Sequence, residues 1–196
     1  MTESSETMNH RKAILFSAPS GSGKTTIIKQ LAKHYDCFEF SISATSRSPR
    51  AGERDGVDYY FISNDVFKQK AADGEFLEWE EVYQGVCYGT LKSEITRIWD
   101  NGHVIVFDVD VNGGKRLKKH FGDAALSVFV MPPSIEVLEQ RLRQRGTETE
   151  EAIMKRLGRS AIELGEAPSF DITIINDDLQ TAIDDTIQAI DKFLYR

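Results

Sequence analysis

The stretch APSGSGKT, Ala18–Thr25, decides the fold of this 196-residue chain. It nearly matches the pattern G-x-x-x-x-G-K-[ST], in which backbone N–H groups surround phosphates, the lysine reaches the outer phosphates and the hydroxyl binds Mg²⁺. Ala18 stands where the pattern has its first glycine. An alanine can occupy that position if its φ is negative, so we expect the loop to keep its geometry. The stretch therefore predicts a site for a nucleoside triphosphate.

The residues on either side of this loop have the patterns of a strand and a helix. A short apolar run, Ala13–Phe16, suits a buried strand. Apolar residues at helical spacing follow the loop: Ile27, Ile28, Leu31 and Ala32. The N-terminus of that helix would direct free N–H groups and the positive end of its dipole at an anion. The alternative is a Gly/Ser turn before an ordinary helix, and the two flanking elements argue against it.

The composition predicts one globular domain without a membrane span. The chain is 40% hydrophobic, which is enough to bury a full core with room for small inserted subdomains. The longest apolar runs, such as Val104–Phe107, fall far short of the roughly twenty residues that a membrane span needs. Residues 1–10 lack the basic start and apolar stretch of a secretory signal, so we expect a flexible polar tail at residues 1–11.

The charge and the cysteine content indicate which binding partners and which cellular compartment are favoured. The two cysteines, Cys37 and Cys87, have no metal-ligand spacing, which predicts neither a disulfide framework nor a structural zinc site. We therefore expect reduced cysteines in a cytoplasmic protein. The formal net charge of −7 argues against nucleic acid as a partner but permits a local cationic pocket. The oligomeric state stays open.

Strand-like and helix-like segments alternate over most of the chain. Three further apolar runs predict buried strands, each next to a helical pattern: His103–Phe107, Leu126–Met131 and Ile172–Ile175. This alternation is typical of an α/β fold, with a parallel sheet flanked by helices. A last helix is predicted near Leu179–Leu194 because its apolar residues recur at helical spacing.

The middle of the chain has a different sequence pattern. Residues 41–95 contain short strand-like pieces such as Asp58–Ile62, turns with glycine and many aromatic residues. We interpret them as an inserted mixed α/β subdomain, which leaves residues 12–40 and 96–196 as the core domain.

Two further helices are predicted in the second half of the core. Ser134 follows two prolines and can cap a helix that runs to Gln144. Thr147–Glu150 then has the spacing of a capping box before another helix. Both helices carry arginines, and together they form a segment at about residues 135–160.

Three ordered blocks carry a resemblance to a known family. Ser43–Glu53 (SATSRSPRAGE), followed by Asp58-Tyr59, resembles the monophosphate-binding signature of guanylate kinases. Glu75–Trp79 (EFLEW) and Tyr88–Thr90 (YGT) resemble the next two blocks of that family at similar spacing.

The resemblance runs from about Ala13 to the C-terminus and is to guanylate kinases of the bacterial type. It implies transfer of the γ-phosphate of ATP to GMP or dGMP, with Mg²⁺ as cofactor, on a P-loop NTPase fold. The inserted segment 41–95 would be the GMP-binding subdomain, and residues 135–160 a helical lid.

The phosphate of GMP would meet two arginines and two tyrosines. Arg47 and Arg50 lie three residues apart in an irregular loop, so both guanidinium groups could converge on one phosphate. Tyr59 and Tyr88 can add hydroxyl donors. A pair of arginines on a loop is ordinarily solvated surface, but their place in the family-like block favours a binding role.

Glu78 is the candidate that selects the base. Guanine presents N1–H and N2–H₂ as adjacent donors, and a carboxylate offers two acceptors, whereas adenine would place a lone pair against it. Ser43 and Thr90 could complete recognition at guanine O6, with Thr90 where the family more often has serine. Asp110 matches a family position near the guanine amino group.

The remaining site residues follow the strands and occupy the predicted lid. Asp108 follows a strand and resembles the acidic residue that orients the Mg²⁺ shell through water, together with Thr25. The residues expected to bind ATP are Ser20, Gly21, Ser22, Gly23, Lys24, Thr25, Thr26 and Asn176. Those expected to assist the transfer are Lys24, Arg47, Arg141, Arg145 and Arg156, while Arg143 and Arg159 are weaker candidates.

No general base is required by this hypothesis. The second pKa of a nucleoside monophosphate lies near about 6, so its attacking oxygen is already mostly anionic at neutral pH. Alignment, charge neutralisation and exclusion of water would then be the main contributions.

Other functions share parts of this pattern. The loop alone also suits an ATPase, a GTPase or another small-molecule kinase. Some guanylate-kinase-like domains are non-catalytic modules that bind phosphorylated peptides, but such a module could dispense with Lys24, Asp108 and the lid arginines. A kinase of similar fold for another phosphate ester is disfavoured by Glu78, Ser43 and Thr90.

Overall fold

The computed structural model describes residues 11–83, 85–144 and 149–195. Its strands are β1 Ala13–Ser17, β2 Phe38–Phe40, β3 Ala44–Thr45, β4 Tyr60–Phe61, β5 Phe76–Tyr83, β6 Val86–Leu91, β7 Val104–Asp108, β8 Ala125–Met131 and β9 Ile172–Ile175. Its α-helices are α1 Lys24–His34, α2 Asn64–Ala72, α3 Lys92–Asp100, α4 Val111–Phe121, α5 Ile135–Gln144, α6 Glu150–Leu164 and α7 Leu179–Leu194. Short 3-10 turns occupy Gly122–Ala124 and Ala167–Ser169.

The larger sheet is parallel and has β1 at its centre. Its strand order is β2-β7-β1-β8-β9, and each neighbouring pair runs parallel. Ala13 lies opposite Ile105 of β7 and Ala125 of β8. All five residues of β1 are buried, as expected for the middle of a sheet covered on both faces.

Helices cover both faces of this sheet. On one face, Ile14 and Phe16 of β1 pack with Leu31 of α1 and Ile190 of α7. On the other face, Leu15 packs with residues of α3 and α4, namely Ile95, Ile98 and Leu117. Alternate residues of β1 therefore serve two cores, and the predicted α/β class with a flanked parallel sheet is confirmed.

A second, mixed sheet has the order β4-β3-β6-β5. β3 pairs with β4 in parallel, whereas β6 is antiparallel to both β3 and β5. Helix α2 covers one face, where Phe67 stacks on Phe76 and packs with Ala44 and Cys87. The strands all lie within residues 41–95, and the predicted boundary at residue 95 falls inside α3.

The predicted elements mostly occur, with differences at their ends. The last helix has the predicted bounds, and Ser134 caps α5 because its Oγ accepts a hydrogen bond from Val137 N at 3.3 Å. Asp58–Ile62 forms only the two-residue strand β4, because Asp58 instead accepts a hydrogen bond from Arg54 N in a turn. The predicted capping box at Thr147–Glu150 and almost all of the predicted tail lie outside the described residues.

Two further expectations can be compared with the backbone. In the described part of the chain, only glycines have positive φ, so Ala18 is accommodated as predicted. None of the helices described there is both long enough and apolar enough to cross a membrane.

Candidate active site

The glycine-rich loop connects the central strand to the first helix. β1 ends at Ser17 and α1 begins at Lys24, with Gly23 as its N-cap. Gly21 and Gly23 have φ of +96° and +89°, a region that L-residues with a side chain rarely adopt. The loop closes on itself through Ser22, whose Oγ donates to the Pro19 carbonyl at 2.8 Å. The predicted strand, loop and helix are therefore all present, and the N-terminus of α1 faces the loop.

Asn176 supports this loop from the end of β9. Its Nδ2 donates to the Ser22 carbonyl at 2.7 Å, and the residue is only 5% exposed. A Cβ built on Gly23 would lie 2.2 Å from that same nitrogen, so a larger residue at position 23 would displace Asn176. Asn176 was predicted to bind ATP; its described contacts are with the loop backbone.

A cavity of about 620 Å³ opens over the loop. It is lined by Ser20 to Thr26 of the loop and helix, by Asp108 at the end of β7, by Asp110 after that strand, and by Arg156 and Arg159 of α6. An adjoining cavity of about 380 Å³ is lined by Gly21, Gly23, Thr26, Arg141, Asn176 and Asp177. The fold thus brings together most residues predicted to bind ATP and metal.

Lys24 is held at the end of β7. Its Nζ lies 2.6 Å from Oδ1 of Asp108 and donates to the Val109 carbonyl at 2.8 Å. The lysine side chain is 16% exposed and the aspartate 38%, so the pair is accessible from the cavity. Lys24, which was predicted to bind the phosphates, and Asp108, which was predicted to lie near the metal, therefore neutralise each other's charge.

Two arginines of the predicted lid contact the loop or Asn176, which supports the loop. Arg156 Nη1 donates to Ser20 Oγ at 3.2 Å, and Arg141 Nη2 donates to the Asn176 carbonyl at 3.0 Å. The other nitrogen of Arg141, Nη1, is buried with no hydrogen-bond partner. Arg145 lies outside the described residues.

The two weaker arginine candidates differ in position. Arg143 forms ion pairs with Glu139 and Glu150 on the surface, and these carboxylates raise the pKa of its guanidinium. Arg159 donates to Glu163 at 2.7 Å, lines the loop cavity and lies 3.7 Å from Asp110. Arg143 therefore belongs to a charged helix face, as favoured from the sequence.

Asp110 caps the helix that follows it. Its Oδ1 accepts a hydrogen bond from Gly113 N at 2.7 Å, at the start of α4. From the family resemblance, Asp110 was predicted to lie near the guanine amino group. In the described structure one carboxylate oxygen caps α4, while Oδ2 faces Arg159.

Arg47 is the centre of a polar cluster on the second sheet. Its Nε donates to the Tyr88 hydroxyl at 3.0 Å, and its guanidinium lies over the ring of Tyr59, 5.0 Å from the centroid. Nη1 and Nη2 donate to the two carboxylate oxygens of Glu53 at 2.6 and 2.7 Å. Three of the residues predicted for the GMP phosphate are thus in contact.

Glu53 was not singled out in the sequence. Hydrogen bonds from Arg47, and then from the backbone N–H of Arg50, lower the pKa of its carboxyl to about 2. The Arg50 side chain itself is exposed. The sequence feature that could have indicated Glu53 is its position, six residues after Arg47 at the end of the block Ser43–Glu53.

Glu78 of β5 lies opposite Thr90 of β6. The Thr90 hydroxyl donates to Glu78 Oε1 at 2.9 Å, and Thr90 is 1% exposed. Arg116 of α4 approaches Oε2 of the same carboxylate at 3.5 Å, a contact that the sequence did not indicate. Ser43, the other residue predicted for guanine, is half-buried, and its carbonyl accepts a hydrogen bond from Tyr60 N.

A β-bulge directs Glu78 to this face of the sheet. Phe76 pairs with Leu91, but Glu78 pairs with Thr90, so one extra residue lies in β5 between them. In a regular strand Phe76 and Glu78, two residues apart, would share a face because strand side chains alternate. The bulge lets Phe76 enter the core under α2 while Glu78 lies beside Thr90.

A buried carboxylate anchors the second sheet to the core domain. Glu94 of α3 is 2% exposed and accepts hydrogen bonds from Ile42 N at 3.0 Å, Tyr60 Oη at 2.9 Å and the Arg97 guanidinium. Burial raises the pKa of Glu94, but the donors outweigh it and the net shift is downward. Ile42 and Tyr60 directly adjoin Ser43 and Tyr59, so Glu94 binds one backbone N–H and one side chain next to two predicted GMP contacts.

A parallel sheet whose central strand leads through a glycine-rich loop into a helix defines a phosphate-loop nucleotide-binding protein. The family model for guanylate kinase matches residues 10–193. The chain therefore belongs to the guanylate kinase family.

Individual relatives agree with this assignment. The chain is 51% identical to a guanylate kinase of Bacteroides fragilis over 183 residues, covering 93% of this chain and 90% of that protein. It is 46% identical to a guanylate kinase of Porphyromonas gingivalis over 184 residues, covering 93% of this chain and 98% of that protein. The crystal structure of guanylate kinase from Anaplasma phagocytophilum superimposes with a TM-score of 0.71 at 26% identity, covering 94% of this chain and 87% of that one.

Proposed function

We propose that this protein transfers the γ-phosphate of ATP to GMP or dGMP, producing ADP and GDP or dGDP. The observation that carries the proposal is the Glu78 carboxylate, held by Thr90 on the sheet face that also bears the Arg47 and Tyr88 pair. One face therefore offers acceptors for a purine with two adjacent donors and cations for a phosphate. We assign residues 41–95 as the GMP-binding subdomain, with the phosphate loop as the ATP site.

The acceptor would lie along this face with its base at Glu78 and its phosphate at Arg47. Ser43 and Thr90 would contact the base near O6, and Asp110 its amino group. Arg50, Tyr59 and Tyr88 would join Arg47 at the phosphate. A site built from buried polar groups rejects the wrong base because its acceptors would go unpaired.

The donor would place its phosphates on the loop between β1 and α1. N–H groups from Ser20 to Thr26 would surround the phosphates, and Lys24 would leave Asp108 to contact the outer ones. Arg141, Arg145 and Arg156 would close over the transferring group, where charge stabilisation dominates catalysis. The phosphate of GMP attacks as an anion, so these groups align and neutralise rather than remove a proton.

Mg²⁺ is proposed to accompany ATP. The Thr25 hydroxyl and the Asp108 carboxylate both line the loop cavity, and oxygen donors of this kind suit Mg²⁺. Within the described ranges, no group of three or more His, Cys, Asp or Glu side chains is placed to hold a metal alone. The Thr25 hydroxyl and the Asp108 carboxylate together fit Mg²⁺, an ion that keeps several waters and binds phosphate oxygens. Bound there, Mg²⁺ would neutralise phosphate charge.

An acceptor panel tests the proposal. With ATP and Mg²⁺, ADP formation should depend on GMP or dGMP, and AMP, CMP and UMP should be much weaker acceptors. Lys24→Ala should abolish turnover while the protein stays folded, and Glu78→Gln should impair the use of GMP far more than the binding of ATP. Equal rates with AMP would refute the assignment of the acceptor, and a fully active Lys24→Ala variant would refute the role of the loop.

We also propose that the protein works in the cytoplasm. Cys37 and Cys87 form no disulfide in the described structure, which suits a reducing compartment.

A further inference from the structure

Helix α4 connects the donor cavity to the base-reading end of the second sheet. It begins after Asp110, which lines the cavity over the loop, and it carries Arg116 six residues later. Six residues of helix span about 9 Å. Arg116 reaches β5, where its Nη2 lies 3.0 Å from Glu80 Oε2 and 3.5 Å from Glu78 Oε2.

The two carboxylates that Arg116 contacts lie on one face of β5. Glu78 and Glu80 are two residues apart and pair with Thr90 and Tyr88 of β6. Like charges at this spacing repel each other, and the guanidinium lies close to both. The shorter contact, to Glu80, anchors Arg116, while the longer one restrains Glu78.

The hydrogen-bonding capacity of Glu78 fits this arrangement. An ionised carboxylate has about four acceptor positions, two on each oxygen. Thr90 takes one position on Oε1, and Arg116 faces Oε2. One position on each oxygen then remains, which matches the two adjacent donors of guanine.

We propose that Arg116 is a positioning residue for the acceptor base, acting through Glu78. Anchored by Glu80, it fixes the second oxygen of the base-reading carboxylate and reduces the repulsion between the two glutamates. The inference rests on the proposed function, because it assigns guanine to Glu78. It adds a residue of the core domain to the recognition of the base.

The test compares Arg116→Gln and Arg116→Lys with Lys119→Gln, which removes a charge from an exposed position on the same helix. Steady-state rates are measured against GMP at saturating ATP and against ATP at saturating GMP. Arg116→Gln should raise KM for GMP about two- to fivefold, the range of a half-exposed ion pair, with kcat and KM for ATP unchanged. Arg116→Lys should recover part of the loss, and Lys119→Gln should match the wild type.

A double-mutant cycle separates positioning from a general effect on the fold. In the Glu78→Gln background, measured at the higher GMP concentrations that this variant needs, Arg116→Gln should cause little further change. Glu80→Gln, which loosens the anchor, should shift KM for GMP in the same direction as Arg116→Gln. The Glu80→Gln variant retains Arg116, so this comparison remains informative if Arg116→Gln itself folds poorly.

An unchanged KM for GMP in Arg116→Gln would overturn the inference. So would an equal effect with and without Glu78, or a loss confined to kcat. A wild-type protein that does not phosphorylate GMP would instead refute the proposed function, so the two failures are distinguishable.

Discussion

Gly23 is the residue at which backbone geometry and packing restrict the sequence most strongly. Its φ of +89° and the 2.2 Å separation between a built Cβ and Asn176 Nδ2 both exclude a side chain. The pattern of the loop could predict a glycine here, but not the amide behind it. Asn176 is 153 residues away in sequence (176 − 23), and only the parallel neighbours β1, β8 and β9 bring it to the loop.

Gly23→Ala should therefore destabilise the loop and weaken ATP binding. We expect a loss of about 1–3 kcal/mol in the free energy of unfolding, together with a strongly raised KM for ATP. The control is Gly102→Ala, where φ is +76° but nothing lies within 4 Å of a built Cβ. That variant carries the backbone strain without the clash, so its KM for ATP should stay at the wild-type value. Chemical denaturation and steady-state kinetics measure the two effects.

The pair of Glu53 and Arg47 predicts a dependence of stability on acid. Its hydrogen bonds lower the pKa of Glu53 from an ordinary value of 4.5 to about 2 in the folded protein. The stabilisation is fully present above the unfolded pKa and is lost as the pH falls from about 4.5 towards 2, because the unfolded state then binds the proton first.

Glu53→Gln should thus flatten the decline in the free energy of unfolding over this pH range. Glu75→Gln serves as the control, since it removes a carboxylate from the ion pair with Lys70, where the glutamate is 45% exposed. Urea denaturation at successive pH values gives the comparison. A wild-type slope in Glu53→Gln would contradict the cause assigned to this pKa.

At the scale of elements, apolar runs and helical spacing predicted β1, β7, β8, β9, α1 and α7, but not the irregularity within β5. The alternation of side chains in β5 places Phe76 and Glu78 on one face, and only the extra residue between them separates the core residue from the polar one. A bulge depends on pairing with β6, which is a property of two strands. For the same reason the sequence located Glu78 and Thr90 separately, while their contact became visible only with the pairing register.

The contact between α3 and the second sheet predicts that Tyr60 contributes both to the free energy of unfolding and to the binding of GMP, but not to the binding of ATP. Tyr60→Phe removes one donor from the buried carboxylate of Glu94, which should cost about 1–2 kcal/mol of unfolding free energy. Because Tyr60 adjoins Tyr59, KM for GMP should rise as well, with KM for ATP unchanged.

Tyr35→Phe is the matched control for that variant. The Tyr35 hydroxyl donates to Asp191 at 2.7 Å, in a contact between the end of α1 and α7. Its removal should cost a similar amount of stability and leave both KM values unchanged. If the two variants have the same kinetics, Glu94 supports the fold without affecting the acceptor site.

In the molecule as a whole, the two proposed substrate sites lie on different sheets. The class of fold, the central loop and the block containing Arg47 were predictable because each depends on local pattern. Contacts between distant segments, such as those of Arg116 with Glu78 and of Arg141 with Asn176, depend on how helices α4 and α5 pack against the two sheets. Neither has a local signature in the sequence.

This division predicts independent stabilisation by the two nucleotides. Each ligand at about 100 times its Kd should add about 2.7 kcal/mol to the free energy of unfolding. In Lys24→Ala the rise in Tm with ATP and Mg²⁺ should disappear while the rise with GMP remains, and Arg47→Gln should show the reverse. Thermal denaturation measures both, and loss of the GMP effect in Lys24→Ala would contradict separate sites.

The ion pair between Lys24 and Asp108 has a consequence for the order in which charges are exchanged at the site. The 2.6 Å contact neutralises both side chains, so a ligand that binds either one competes with the other. A triphosphate arriving alone would gain the lysine but leave the aspartate as an unpaired anion beside the phosphates. A triphosphate arriving with a divalent cation supplies an opposite charge to each partner, and no charge is left unpaired. We therefore expect the ion pair to disfavour nucleotide without metal, because the mutual neutralisation of two side chains makes the binding of phosphate and cation energetically interdependent.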